Sequence, residues 1–177
     1  MLKWIHNMND LDFAALMEVY AEACLENGQE FWSDLPAEEQ IRRSQEHFRT
    51  YLTEQFFANP EAVYAVWIIE GRYTSALRLE PKWDGLLMEA LETRPDVRRQ
   101  GHASALITAV QANFIQFPPL DPPVMRIYSH VSKGNLPSLR THDHCGFQRY
   151  RDHITRSDGT TNDRFYTMLW EYSPQRH

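Results

Sequence analysis

"RPDVRRQGHASALI", residues 94–107, decides the fold because it joins a predicted strand to a predicted helix. From Gly101 onward, apolar residues recur at helical spacing: Ala103, Leu106, Ile107, Val110 and Phe114. The unpaired amides of a first helical turn, together with the helix dipole, form an anion site that Gly101 opens to close approach. Arg98 and Arg99 add positive charge. The alternative interpretation is an ordinary helix start with two solvated arginines.

The composition describes one compact globular chain. With 177 residues, 42% of them hydrophobic, residues 1–177 can bury a core as a single domain. Two cysteines favour a reducing, intracellular compartment, and no apolar run is long enough to cross a bilayer, so we expect a cytoplasmic protein without a membrane partner. A net charge of −6 argues against nucleic-acid binding and favours cationic partners.

Periodicity predicts two helices before the first long strand. Residues 11–26 carry one apolar stripe, with Asn9 or Asp10 as the cap and Asn27-Gly28 as the stop. Residues 34–60 form a second helical segment, capped by Asp34.

The rest of the chain predicts a mixed sheet. The expected elements are a short strand at 2–6, a hairpin about Gly71, a strand at 86–93, a helix at 101–117, a proline-marked loop, a strand at 124–131, a short helix at 135–144 and a closing hairpin at 147–172. The strand, helix and strand between 86 and 131 require a right-handed parallel crossover, whereas the hairpins are antiparallel. We therefore expect an α/β fold with helices on both faces of a mixed, mostly antiparallel sheet.

Two motifs resemble one family. Arg98-Arg99-Gln100-Gly101-His102-Ala103 fits the Q/R-x-x-G-x-G/A pattern of the GNAT superfamily of N-acetyltransferases. "NLPSLRTHDHCGF", residues 135–147, looks like the segment in which an asparagine, a short helix and a Gly-Phe follow the family's fifth strand. The resemblance covers about residues 60–172. It implies direct transfer of an acetyl group from acetyl-CoA to a primary amine, without a covalent enzyme intermediate.

The resemblance also implies where coenzyme A binds. The pyrophosphate is expected on the backbone amides of residues 99–104, assisted by Arg98 and Arg99; the residues concerned are Arg98, Arg99, Gln100, Gly101, His102, Ala103 and Ser104. Leu91 and Thr93 are expected to offer backbone groups to the pantetheine arm, and an amide near Leu91 could polarise the acetyl carbonyl. Asn135 and Ser138 are expected beside the same arm.

Glu89 is the candidate base. It interrupts the apolar pair Leu87 and Leu91 on one face of a strand predicted to be central, where a carboxylate needs a cleft or a partner. Alternation places Glu92 on the opposite face. A structural ion pair or a solvated sheet face is the competing interpretation of Glu89.

His142 is the candidate acid, because it stands seven residues after Asn135, where the family commonly has a tyrosine. An unperturbed histidine is only partly protonated at pH 7, so His142 could instead act as a relay or simply pack. Tyr128, Tyr150 and Tyr166 are the alternative acids, although tyrosines in strands more often pack across strands.

No metal is expected. His142 and His144, two residues apart on a helix, point away from each other, and Cys145 before Gly-Phe is more simply a buried thiol than a nucleophile. The acceptor stays open among polyamines, amino acids, amino sugars, antibiotic amines and protein amines, with a cationic small molecule favoured. A homodimer through the last hairpin is possible. The alternative function is a coenzyme A-binding regulatory module that has lost catalysis.

Overall fold

The computed structural model describes residues 1–113 and 126–172. The strands are β1 Leu2–Ile5, β2 Val63–Ile69, β3 Arg72–Lys82, β4 Gly85–Thr93, β5 Arg126–Ser132, β6 Gln148–Arg151, β7 Ile154–Thr155, β8 Thr161–Asn162 and β9 Phe165–Glu171. The helices are α1 Phe13–Val19, α2 Ala21–Phe31, α3 Ala37–Tyr51, α4 His102–Ala112 and α5 Leu136–His144, with a π turn at Leu52–Phe56 and 3₁₀ turns at Met8–Asp10 and Pro95–Val97.

Seven strands form the central sheet in the order β1-β2-β3-β4-β5-β9-β6. Within the described ranges β4 and β5 are the parallel pair, and every other neighbouring pair in this sheet is antiparallel. The mixed, mostly antiparallel sheet predicted from the sequence is therefore confirmed. The segment around Asp158 forms a separate two-stranded ribbon from β7 and β8.

Helices cover both faces of the sheet, as predicted. On one face, Leu106, Ile107 and Val110 of α4 and Leu139 of α5 join a buried cluster with the inward side chains of β2 to β5. On the other face, α1, α2 and the π turn enclose a second cluster with Tyr64, Val66 and Ala76 of the sheet. Strands β2 and β3 supply both clusters through their alternating side chains.

The predicted single helix at 11–26 is wrong at both ends and in the middle. Asp12 caps α1 by accepting from the Ala15 amide at 3.0 Å, and the chain breaks at Tyr20 before α2 begins. Helix α2 runs through Asn27-Gly28 to Phe31. Gly28 serves close packing instead of termination, because a Cβ there would lie 2.9 Å from the Gln40 carbonyl oxygen of α3.

The second helical segment is confirmed, but its predicted cap is wrong. Pro36 precedes α3 and no side chain caps it, so Asp34 does not have the predicted role. Gln40 and Ser44 are buried, and the Gln40 Nε2 donates to the Leu35 carbonyl at 2.7 Å. The buried face of α3 thus contains two polar residues among its apolar ones.

The remaining predicted strands and the helix at 135–144 are found close to their expected bounds. The predicted helix end near 117 and the proline loop lie outside the described residues. No helix in the described part of the chain has the length and apolar character needed to cross a membrane.

Candidate active site

Strands β4 and β5 diverge in the middle of the sheet. The two strands pair at Leu86–Ile127, Leu87–Tyr128 and Met88–Ser129, whereas among residues 1–113 and 126–172 the second half of β4, residues 89–93, pairs only with β3. The edge of β4 that faces β5 therefore carries backbone groups that no described strand pairs with. Leu91 and Thr93, predicted to offer such groups, both lie on this open half.

A β-bulge at Ala90 changes which side chains share a face. Arg78 pairs with Glu89 and Ala76 pairs with Glu92, so β4 contains one extra residue, and Ala90 has the left-handed φ of 51°. Ala90 packs with the α1–α2 cluster, whereas Leu91 packs with the α4 cluster.

This bulge overturns the predicted distribution of the two glutamates. Glu89 was expected on the face of Leu91, with Glu92 opposite. Glu92 does lie opposite Leu91, where it lines a cavity with Ala90 and Arg78 on the α2–α3 side, but Glu89 does not share the face of Leu91. Glu89 lies across from Arg78, which borders the same cavity. Regular alternation cannot reveal this arrangement, because one inserted residue reverses the faces after it.

Two tyrosine hydroxyls form a chain of hydrogen bonds that ends at the bulge. The Tyr20 hydroxyl donates to the Ala90 carbonyl, and the Tyr64 hydroxyl donates to the Tyr20 oxygen at 3.0 Å. Burial, followed by the charge of Tyr64, raises the pKa of Tyr20 well above its ordinary value, so Tyr20 remains a donor throughout the physiological range. Tyr20 occupies the break between α1 and α2, and this break therefore brings its hydroxyl to β4.

The loop from β4 to α4 ends in an open helix start, as predicted. Gly101 has a left-handed φ of 83°, and a Cβ placed on it would have nothing within 4 Å. The first helical bond of α4 runs from the Ala105 amide to the Gly101 carbonyl at 2.9 Å, so the amides of the preceding turn have no helical acceptor. Arg99, also left-handed with a φ of 61°, is exposed beside them, as is Gln100.

Arg98 faces away from this helix start. Its guanidinium donates to Glu22 of α2 and to the Thr93 carbonyl at 3.2 Å, and it lies 3.7 Å from Glu92. Of the two predicted pyrophosphate arginines, Arg99 is therefore the one placed for an anion.

The remaining residues of the first turn of α4 are less exposed than Arg99 and Gln100. His102, Ala103 and Ser104 are partly buried in that turn. Ser75 of β3 donates to the His102 carbonyl at 3.2 Å and so anchors the turn to the sheet.

Asn135 caps α5. Its Oδ1 accepts from the Ser138 amide at 3.1 Å, and both residues lie at the start of the helix that follows β5. Their predicted contact with the pantetheine arm stays a prediction.

His142 is buried, with 1% of its surface exposed. Its Nδ1 lies 2.8 Å from the Ser138 carbonyl, which can only accept, so Nδ1 carries the proton and Nε2 accepts from the Ser129 hydroxyl at 2.9 Å. Burial lowers the pKa of the ring, although the Ser138 carbonyl and Asp143 oppose that effect. This geometry assigns His142 a structural role and argues against its predicted role as an acid.

Glu92 is the site residue that sequence reasoning missed. Burial is the main cause that raises the pKa of its carboxyl, and the charges of Glu22 and Glu26 add to it, while Arg98 opposes them. Its side chain is 36% exposed and reaches a cavity of about 470 Å³. Glu89 is 34% exposed and lies 3.8 Å from the Arg78 guanidinium, in keeping with the ion-pair interpretation.

The tyrosines considered as acids lie elsewhere. The Tyr128 hydroxyl donates to Asp84 at 2.6 Å, and burial followed by this bond raises the pKa of Tyr128 to about 12. Tyr128 and Tyr150 line a separate pocket of about 250 Å³. The ring of Tyr166 lies against Lys133 and Arg149.

Among the residues the structure describes, no group of three or more histidine, cysteine or acidic side chains is arranged to hold a metal ion.

Comparison with known proteins identifies the family of this chain. The model of the acetyltransferase (GNAT) family matches residues 25–147, more than half of the chain. The chain belongs to the GNAT family. No curated protein sequence matches this GNAT acetyltransferase significantly.

Solved structures share its fold at low sequence identity. The PaiA N-acetyltransferase of Thermoplasma acidophilum, solved with coenzyme A, is 12% identical over 97% of this chain and 99% of its own, with a TM-score of 0.62. An aminoglycoside 6′-acetyltransferase type Ii is 11% identical, with 99% of both chains covered and a TM-score of 0.63. The ribosomal-protein-S18-alanine N-acetyltransferase of Escherichia coli is 15% identical over 100% of this GNAT chain and 99% of its own, with a TM-score of 0.55.

Proposed function

We propose that the protein transfers the acetyl group of acetyl-CoA to a primary amine by direct attack. One observation carries the proposal: the half of β4 that has no described strand partner on its β5 side carries Glu92 at a cavity, and the loop that follows it leads to the helix start at Gly101. A candidate base, an open strand edge and a candidate anion site thus follow one another along the chain. The PaiA structure with coenzyme A supports the choice of donor.

The chain's groups fit the donor in two places. The amides of the first turn of α4, which precede its first helical hydrogen bond, and the Arg99 side chain suit a diphosphate. The unpaired backbone groups of β4 at Leu91 and Thr93 suit the amides of the pantetheine arm, because both offer donors and acceptors in an extended row. Asn135 and Ser138, across the opening at the start of α5, complete the proposed binding site.

The proposed reaction needs one base. Glu92 takes a proton from the acceptor's ammonium, and the neutral amine attacks the thioester carbonyl, whose oxygen is polarised by an amide near Leu91. A C–N bond forms and the C–S bond breaks. The second nitrogen proton passes to the leaving thiolate, so the products are an amide and a thiol. The raised pKa of Glu92 makes it a stronger base than an exposed carboxylate.

A cytoplasmic location suits this reaction. Cys24 and Cys145 are both free and buried, which fits a reducing compartment.

Isothermal titration with acetyl-CoA is the first test. Wild-type protein is expected to bind, and the double variant Arg99→Glu, Gly101→Asp is expected to lose binding. Arg156→Glu, on the exposed β7–β8 ribbon, is the matched control and should bind as wild type does. Wild-type protein that is folded by circular dichroism but does not bind would refute the proposal.

Turnover is measured next, as thiol release with a panel of primary amines. Release that depends on the amine supports the transferase. Binding of acetyl-CoA without release for any amine contradicts it and favours the alternative of a coenzyme A-binding regulatory module.

A further inference from the structure

The cavity beside Glu92 lies between α2, α3 and the β3–β4 floor, and its shape and lining restrict the acceptor. Its volume of about 470 Å³ is in the range of small-molecule sites. Five aromatic side chains line it: Tyr20, Phe31, Trp32, Phe48 and Tyr51. Among the described lining residues, Glu92 is the one carboxylate.

The aromatic rings offer flat apolar surfaces. Phe48 and Tyr51 are nearly parallel, 8° apart with centroids separated by 6.4 Å, and Tyr20 lies 5.4 Å from Phe48. Phe31 is 66% exposed and packs edge-on against Trp32 at 6.1 Å. Such surfaces gain most from a flat apolar partner, which stacks on them and removes them from water.

The charges of the cavity select a single cation. Arg78 contributes a positive charge that is held in place, because its side chain is only 16% exposed and its Cζ lies 4.9 Å from the Tyr51 ring centroid. Glu92 can neutralise one ammonium. A second ammonium in the cavity would meet Arg78 and find no second carboxylate among the described lining residues. Glu89, which lies outside the lining, is already paired with Arg78 at 3.8 Å, so the like-charge contact is unfavourable.

We propose that the acceptor is a primary monoamine carried on an aromatic or similarly flat apolar body. Its ammonium lies at Glu92 and its ring lies among Trp32, Phe48 and Tyr51. Polyamines and aminoglycosides are poor acceptors for this chain, although an enzyme of similar fold acetylates aminoglycosides at their 6′ position. The inference rests on the proposed acetyl transfer and narrows its acceptor.

The test compares kcat/KM for four amines at saturating acetyl-CoA: 2-phenylethylamine, tryptamine, spermidine and kanamycin. Burial of one aromatic ring is expected to favour the two arylalkylamines by about tenfold to a hundredfold. Titration of 2-phenylethylamine into the protein with coenzyme A present gives a second readout that needs no turnover.

Two variants test the aromatic lining of the cavity and the charge of Arg78 separately. Trp32→Ala should lower kcat/KM for tryptamine by about tenfold and leave acetyl-CoA affinity unchanged. Arg78→Gln should raise the relative rate with spermidine. Trp83→Ala removes a comparable exposed aromatic residue, 54% exposed and outside this cavity, and should change neither rate.

The outcomes separate the inference from the proposed function. Equal or faster acetylation of spermidine or kanamycin by wild-type protein overturns the monoamine inference and leaves the transferase intact. An undiminished tryptamine rate in Trp32→Ala overturns the aromatic placement. Acetyl-CoA binding without turnover of any of the four amines or of a wider amine panel overturns both.

Discussion

Replacing Tyr20 with phenylalanine removes the hydroxyl that joins the helix break to the β4 bulge. In the native chain this hydroxyl donates to the Ala90 carbonyl and accepts from Tyr64. The variant leaves the Ala90 carbonyl without its donor and a buried Tyr64 hydroxyl without its acceptor. Each orphaned group costs about 1–3 kcal/mol, so for the two groups together we expect the free energy of unfolding to fall by about 2–6 kcal/mol.

The same substitution should slow catalysis. The left-handed backbone at Ala90 stores about 1–3 kcal/mol of strain that the hydroxyl helps to hold, and the bulge directs Glu92 into the cavity. A loosened bulge should lower kcat by about tenfold to a hundredfold, while the affinity for acetyl-CoA, set largely by the α4 loop, changes little.

Tyr64→Phe is the matched control. It removes one hydrogen bond but leaves the Tyr20 hydroxyl donating to Ala90, so it should cost about 1 kcal/mol and leave kcat near wild type. Stability is measured by urea unfolding, kcat by thiol release and affinity by titration. If Tyr20→Phe retains full kcat, or if the two variants lose kcat equally, Tyr20 does not position the bulge.

Three further predictions concern the site and its support. Glu92→Gln should lower kcat by about 10²-fold to 10⁴-fold, and Glu89→Gln by much less. The acid limb of the wild-type kcat/KM profile should lie above pH 4.5, because burial raises the pKa of Glu92. Since the folded-state pKa of Glu92 exceeds its unfolded value, the free energy of unfolding should also fall as pH rises from the unfolded to the folded pKa. Glu92→Gln should reduce that slope. His142→Leu should lower stability by about 2–4 kcal/mol but keep kcat within about threefold of wild type. Since burial lowers the pKa of His142, its contribution to stability is present above about pH 6.5 and lost as pH falls through the folded-state pKa. The melting temperature of the wild-type protein should therefore depend on pH more steeply in this interval than that of His142→Leu. A large loss of kcat in the variant would contradict the structural role. Gly28→Ala should destabilise the fold by about 1–3 kcal/mol despite better helix propensity, because its Cβ meets Gln40, whereas Asn27→Ala in the same helix should be neutral or stabilising in thermal melts.

Much of the fold could be predicted from the sequence, because the signals for these elements come from neighbouring residues. The turn at Gly71, the alternation along β2 and β3, and the apolar period of α4 each follow from a few neighbouring residues. The open helix start at Gly101 was also predictable, because a glycine before a helical stripe is a local signal and its left-handed φ of 83° is a local requirement.

Long-range contacts determine what the sequence did not reveal. Gly28 has the pattern of a helix stop, and only the approach of Gln40 shows why the helix continues past it. Tyr20 has the pattern of a core residue in a continuous stripe, yet its hydroxyl reaches Ala90, which is 70 residues away in the chain. Neither partner can be identified from spacing along one helix.

The bulge explains why Glu89 and Glu92 lie on the same side of β4, although regular alternation predicts opposite faces for them. An inserted residue at Ala90 turns Glu92 towards the cavity, and Glu92 stands one residue before the end of β4, where the loop to α4 begins. Arg98 then links Glu92 and the Thr93 carbonyl to Glu22 of α2. Because the charge of Arg98 lowers the pKa of Glu92 while Glu22 raises it, the protonation of the candidate base depends on the position of the same loop that presents the amides of α4. If the donor binds at α4 as proposed, we expect its binding to change the pKa of Glu92 through Arg98, the arginine that the motif assigned to phosphate.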